Sequence, residues 1–137
     1  MLSEGLKQRV SSFVLDASAL IAFLFDEVGA DRVQQAIEDS ALINSVNLAE
    51  VASKLVDFGY DDSNIKPTLA IANLTVVDLD TDLAIGIGLL RRLTRSVGLS
   101  LGDRACLALA QSLELPALTA DRNWANLNLG IEIELCR

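Results

Sequence analysis

Asp16, Glu50, Asp103 and Asp121 each fall where a strand pattern ends or a helix pattern begins, in a 137-residue chain without a single histidine. That combination restricts the chemistry. Without imidazole there is no Ser-His-Asp triad, no His-activated thiol and no imidazole acid or base. A zinc site would lack its commonest nitrogen ligand. Carboxylate chemistry remains, and clustered carboxylates suit hard, oxygen-seeking cations such as Mg²⁺ or Mn²⁺.

Each acid also has an ordinary structural explanation. Asp16 can cap a helix, with Ser18 beside it. Glu50 can pair with Lys54 one helical turn on. Ser100-Leu101-Gly102-Asp103 has the form of a capping box, with Asp in place of the usual Glu. Asp121, after Thr119, can cap the short helix carrying Trp124. A cation site would instead require the acids to converge from separate elements. Ser18 and Thr119 would then supply hydroxyls that orient carboxylates or bound water.

The elements that must position these residues alternate between short apolar strands and helices. Strands are expected at Ser12–Asp16, Ala41–Asn44, Thr75–Asp78, Ala117–Thr119 and Ile131–Leu135. Helices are expected at Ser18–Phe25, Asp31–Asp39, Asn47–Phe58, from Asp61 or Ser63 to about Ala72, Thr81–Val97, Ser100–Leu113 and Arg122–Leu127. Pro67 is awkward inside the fourth of these. Such alternation predicts an α/β chain with a mainly parallel sheet of four to five strands, covered on both faces. Ligands gather outside the carboxyl ends of such strands, where Asp16 and Asp121 fall.

Composition agrees with a globular chain: 51% hydrophobic, 22% charged and only 4% aromatic, so the core must be aliphatic. The net charge of −8 speaks against nucleic acid, yet the four acids, taken as one cation site, leave −4 for the rest. Cys106 and Cys136 are too few and too far apart for a metal knuckle or a disulfide scaffold, and Cys106 reads as a small buried hydrophobe. Lys7 and Arg9 before the run Phe13–Phe25 imitate a signal peptide. Asp16 interrupts that run, no small-x-small site follows, and it is too short to span a bilayer. The expectation is a cytoplasmic protein that does not enter the membrane.

Phe13-Val14-Leu15-Asp16-Ala17-Ser18-Ala19-Leu20, Asn47-Leu48-Ala49-Glu50-Val51, Leu99-Ser100-Leu101-Gly102-Asp103-Arg104-Ala105 and Leu118-Thr119-Ala120-Asp121-Arg122-Asn123-Trp124 occur in that order. Together they resemble the four motifs of PIN-domain proteins, and most of all the VapC toxins of type II toxin–antitoxin systems. The resemblance runs from Phe13 to Ile133. It departs in the Met1–Ser11 extension before the first strand, and in Ala17, where Thr is commoner. It implies one PIN-like three-layer α/β/α sandwich over residues 1–137, of which 1–11 are an extension. It implies a Mg²⁺- or Mn²⁺-dependent endoribonuclease in which Asp16, Glu50, Asp103 and Asp121 hold the metal. Ser18, Asn47 and Thr119 would support them. Homodimerisation and inhibition by a VapB-like antitoxin are implied too.

Under this reading a water made nucleophilic by metal attacks the RNA phosphate, leaving a 5′-phosphate without help from the 2′-OH. Arg91, Arg92, Arg95, Arg104 and Arg122 are candidate phosphate contacts, although a solvated face explains the first three equally well. Trp124 is expected to pack beneath the site rather than stack on a base. Gly86 and Gly88 permit close approach, either to a second subunit or to the rest of this one. Other readings stay open: a PIN nuclease in RNA maturation or DNA processing, or a non-catalytic PIN binding module. A haloacid-dehalogenase-like phosphatase would want a second Asp where Ser18 stands, and a receiver a late lysine, of which there is none after Lys66.

Overall fold

The structure is a computed structural model that describes residues 12–137. The Met1–Ser11 extension, with Lys7 and Arg9, lies outside the described residues. In chain order the elements are β1 (Val14–Leu15), α1 (Ala17–Leu24), α2 (Ala30–Glu38), β2 (Leu42–Asn44), α3 (Ser45–Asp57), α4 (Asp62–Ala70), β3 (Thr75–Val77), α5 (Thr81–Thr94), α6 (Leu101–Leu113), β4 (Ala117–Thr119) and β5 (Ile133–Leu135). Single 3₁₀ turns at Arg95–Val97 and Arg122–Asn126 follow α5 and β4. The five strands form one parallel sheet in the order β3-β2-β1-β4-β5.

β1 is central and very short, and its two residues divide the core between the two faces. Val14 packs with Ala117, α5 and α6, and with the buried ring of Trp124. Leu15 points the other way, with Leu118, Ala19 of α1 and Val33 of α2. Ile43 of β2 shares that second side with Leu20 of α1 and Val51 of α3. The alternation is the period of two that strand geometry demands. It yields three layers: α1 to α4 on one face, α5 and α6 on the other. Buried on both faces, the strands read as plain apolar runs.

Differences from the expected elements lie at their ends. Only Val14–Leu15 of the first run pairs as strand. The helix expected at Thr81–Val97 is α-helical to Thr94, tightens into 3₁₀ and stops at Gly98, which has φ 67. Pro67 lies within α4 without breaking it, in a helix that buries no residue completely. Asp61 stands at the N-cap position of α4 but makes no capping bond. Among the described residues, no helix is long and apolar enough to cross a membrane.

Leu15 has no solvent exposure and lies in register with Ile43 and Leu118. Leu15→Ala should therefore cost about 2–5 kcal/mol of stability, seen as a lower urea midpoint at unchanged slope.

Candidate active site

β1 and β4 are neighbours, so their carboxyl ends bring Asp16 beside Thr119 and Asp121. Asp16 is the N-cap of α1, and its Oδ1 accepts from Ala19 N at 3.0 Å and from Ser18 Oγ at 2.7 Å. Its Oδ2 accepts from Thr119 Oγ1 at 2.8 Å. Each hydroxyl has one proton and gives it to Asp16, so each accepts from a backbone amide instead. Ala120 N donates to Ser18 Oγ at 2.9 Å, and Asp121 N to Thr119 Oγ1 at 3.0 Å. Asp121 is thereby tied to Asp16 through Thr119, while its own Oδ1 accepts from Asn123 N and opens the 3₁₀ turn.

Two more acids arrive from α3 and α6, which pack on each other. Asn47 is buried, and its Nδ2 donates to Glu50 Oε1 at 2.8 Å and to Gly102 O at 2.9 Å. Both partners are acceptors, so only the amide nitrogen can stand there. Glu50 lies directly over Gly102, where any Cβ would collide with its carboxylate. Asp103 completes the capping box of α6: Ser100 Oγ accepts from its amide at 3.1 Å, and its Oδ2 accepts from Ser100 N at 3.0 Å.

The electrostatics tie three of the acids together. Asp16 is pushed up to about 6 from an ordinary 3.8, first by burial and last by the nearby charge of Asp103, against the hydrogen bonds that lower it. Beneath them Cys106 is fully buried, its Sγ against Val14 O. Its pKa is raised well above the usual thiol value, first by burial and then by the charges of Asp16, Asp103 and Glu50. As the side chains stand, no three acidic or thiol groups among the described residues close around one point. Asp16 is buried and pinned, whereas Glu50 is exposed and Asp103 and Asp121 are half-buried. Ligating one ion would therefore require the outer acids to turn inward. The donor set suits a hard divalent cation: oxygen donors alone, mutually repelling, with one buried carboxylate that has no basic partner among the described residues.

Arg104 corrects the expectation that it meets RNA. Its side chain is turned into the protein, where Nη1 donates to Ile87 O of α5 at 3.1 Å, and only 9% of the residue is exposed. It follows Asp103 in sequence, but adjacent helical positions point about 100° apart. Arg91, Arg92, Arg95 and Arg122 are exposed. The Glu50–Lys54 pair is absent among the described residues, where the ion pairs are Arg32–Glu134 and Arg137–Glu27. Trp124 is buried beneath the site as expected.

Sequence reasoning missed Gly102, although a glycine in the first turn of a helix needs a reason. It also missed a cleft of about 460 Å³ beside Ser18 and Glu50, floored by Ala17 and Ile21 and flanked by Lys54 and Arg137. Nothing local marks Arg137, which is brought there by the chain's return to Glu27.

A parallel α/β sandwich with acids gathered at the carboxyl ends of its central strands defines the class of site. The PIN domain model matches residues 13–129. The chain belongs to the PIN domain family. Among curated proteins, none matches it in sequence. Among solved structures it is similar to a toxin–antitoxin complex from Klebsiella pneumoniae, with 22% identity, TM-score 0.67 and coverage of 92% of this chain and 98% of that one. It is also similar to VapBC2 from Rickettsia felis bound to a promoter DNA fragment, with 15% identity, TM-score 0.71 and coverage of 90% and 97%. VapBC-5 from Mycobacterium tuberculosis gives 24% identity, TM-score 0.58 and coverage of 93% and 98%. At these identities the likeness is one of fold.

Two outcomes follow from the geometry. Folding raises the pKa of Asp16, so the folded state keeps this proton longer than the unfolded chain does. In metal-free buffer the site should therefore lose stability as pH rises from about 4 through about 6. Asp16→Asn removes that charge and should gain up to about 3 kcal/mol at pH 7 and almost nothing at pH 4, measured by denaturant unfolding. Gly102→Ala should fold with Tm within a few degrees of the parent, because Ala suits a helix better by about 0.5–1 kcal/mol. It should displace Glu50 and shrink any rise in Tm on adding Mn²⁺.

Proposed function

We propose that this protein is a Mg²⁺- or Mn²⁺-dependent endoribonuclease, the VapC-like toxin of a toxin–antitoxin pair. It would act in the cytoplasm as a homodimer and be held inactive by a VapB-like antitoxin. The observation that carries this reading is the buried, doubly hydroxyl-bonded Asp16 at the end of β1, with Glu50 and Asp103 close enough for their charges to be felt together. Membership of the PIN domain family supports nuclease chemistry. The toxin–antitoxin complexes of the same fold support the antitoxin as partner.

Asp16, Glu50, Asp103 and Asp121 are the residues that would hold the ion. When bound, it supplies Lewis acidity toward water and toward the scissile phosphate. Ser18 and Thr119 fix both oxygens of Asp16. Asn47 holds Glu50 against α6, which brings the acid from α3 to the helical turn that carries Asp103. Arg122, beside Asp121, and the exposed Arg91, Arg92 and Arg95 would be the phosphate contacts; Arg104, turned inward to Ile87, would not. Hydrolysis by water leaves a 5′-phosphate.

The test is cleavage of cellular RNA by the purified protein with Mg²⁺ or Mn²⁺, beside EDTA and Asp103→Asn controls. Metal-dependent cutting that the variant loses, giving 5′-phosphate ends, is the expected result. A 2′,3′-cyclic phosphate end would reject the mechanism. Cutting of DNA in place of RNA would move the protein to the DNA-processing reading. No cutting, with fold intact and metal bound, would make it a binding module.

A further inference from the structure

Helix α5 carries an apolar ridge that nothing within the described residues covers. Ile85, Leu89 and Leu93, continued by Val97 of the 3₁₀ turn and Leu101 of α6, are each more than half exposed. Leu83, Ile87, Leu90 and Thr94, on the opposite side of the helix, are buried and supply its packing on the core. The two glycines of α5 divide in the same way. A Cβ on Gly86 would meet Ala108 of α6 at 3.9 Å, whereas one on Gly88 would meet nothing within 4 Å. Gly88 thus leaves a notch beside the ridge, open to another backbone.

Charge identifies the occupant. Asp78, Asp80 and Asp82 cluster at the start of α5, and Arg91, Arg92 and Arg95 at its end. The helix dipole accounts for the order of signs along one helix. It does not account for the register. Asp82, Ile85, Leu89 and Arg92 stand at i, i+3, i+7 and i+10, which is one helical face, and all four are exposed. Asp82 lies as far before Ile85 as Arg92 lies after Leu89. An antiparallel copy of the same helix, placed with Ile85 against the partner's Leu89, therefore sets Asp82 against the partner's Arg92. The same contact recurs once more by symmetry, as an isologous interface requires. Neither Asp82 nor Arg92 has an ion pair within the described residues.

We infer that α5 pairs antiparallel with α5 of a second copy, the Ile85–Leu89–Leu93 ridge packing across the Gly88 notch and Asp82 bonding the partner's Arg92. This names the surface of the homodimer proposed above and does not depend on the nuclease chemistry. It also removes Arg92 from the candidate RNA contacts.

The test is molar mass in solution by sedimentation, with circular dichroism as the control for folding. The parent should be a dimer at micromolar concentration. Asp82→Arg or Arg92→Asp alone places like charges together and should weaken dimerisation by at least about tenfold. The two changes together restore opposite charges and should restore the dimer. Leu89→Glu should give a folded monomer. A monomeric parent would overturn the inference, as would single changes that dimerise like the parent or a double change that fails to rescue. The measurement uses no RNA, so a protein that cuts nothing leaves this result standing, and a failed interface leaves the nuclease reading untouched.

Discussion

A carboxylate buried without a counter-ion among the described residues is the constraint around which this fold is arranged. Asp16 is only 4% exposed, yet no arginine or lysine among the described residues pairs with it. Burial alone would exact a large electrostatic penalty, and the chain offsets only part of it with two hydroxyl protons and one amide. Those donors can reach Asp16 only if β1 lies beside β4 and both strands stop at the same level. Strand order, strand length and the position of α1 all serve this one side chain. An electropositive guest would discharge what remains.

The four acids differ in freedom, and the difference is physical. Asp16 is locked by donors on three sides, so it defines where a ligand must come. Glu50, Asp103 and Asp121 each spend one oxygen on a local bond, to Asn47, to the Ser100 amide and to the Asn123 amide. Their other oxygens remain available. In the proposed site the four acids would serve as one fixed ligand and three adjustable ones, a division of labour that suits a site that must release what it binds.

Much of this was legible in the sequence, because the deciding signals were local. The strand ends at Asp16 and Thr119 followed from apolar runs stopping at polar residues, and the capping box at Ser100–Asp103 followed from spacing alone. Those capping explanations proved true for the aspartates, and they are also how the acids come to point the same way: a cap sits at a helix start, and here the starts face one end of the sheet. What stayed hidden depended on long-range placement. Arg104 looked like a phosphate ligand because it follows Asp103, but rotation about the helix sends it to Ile87. Glu50 looked paired with Lys54 until α6 presented Gly102 and Asn47 offered a better bond. The tightening of α5 into a 3₁₀ turn at Arg95 follows from the left-handed turn at Gly98, which periodicity does not register.

Cys106 sits directly under the three acids, with Val14 above it and no exposed surface. A thiol so placed stays protonated at neutral pH and out of reach of reagents while the layers are closed. Its rate of labelling by a thiol reagent, with the chain's other thiol at Cys136 replaced, is therefore a clock for the breathing of this corner of the molecule, readable without a substrate. Anything that pulls the acids inward would slow that clock, so occupancy could be followed from below, through the floor of the site.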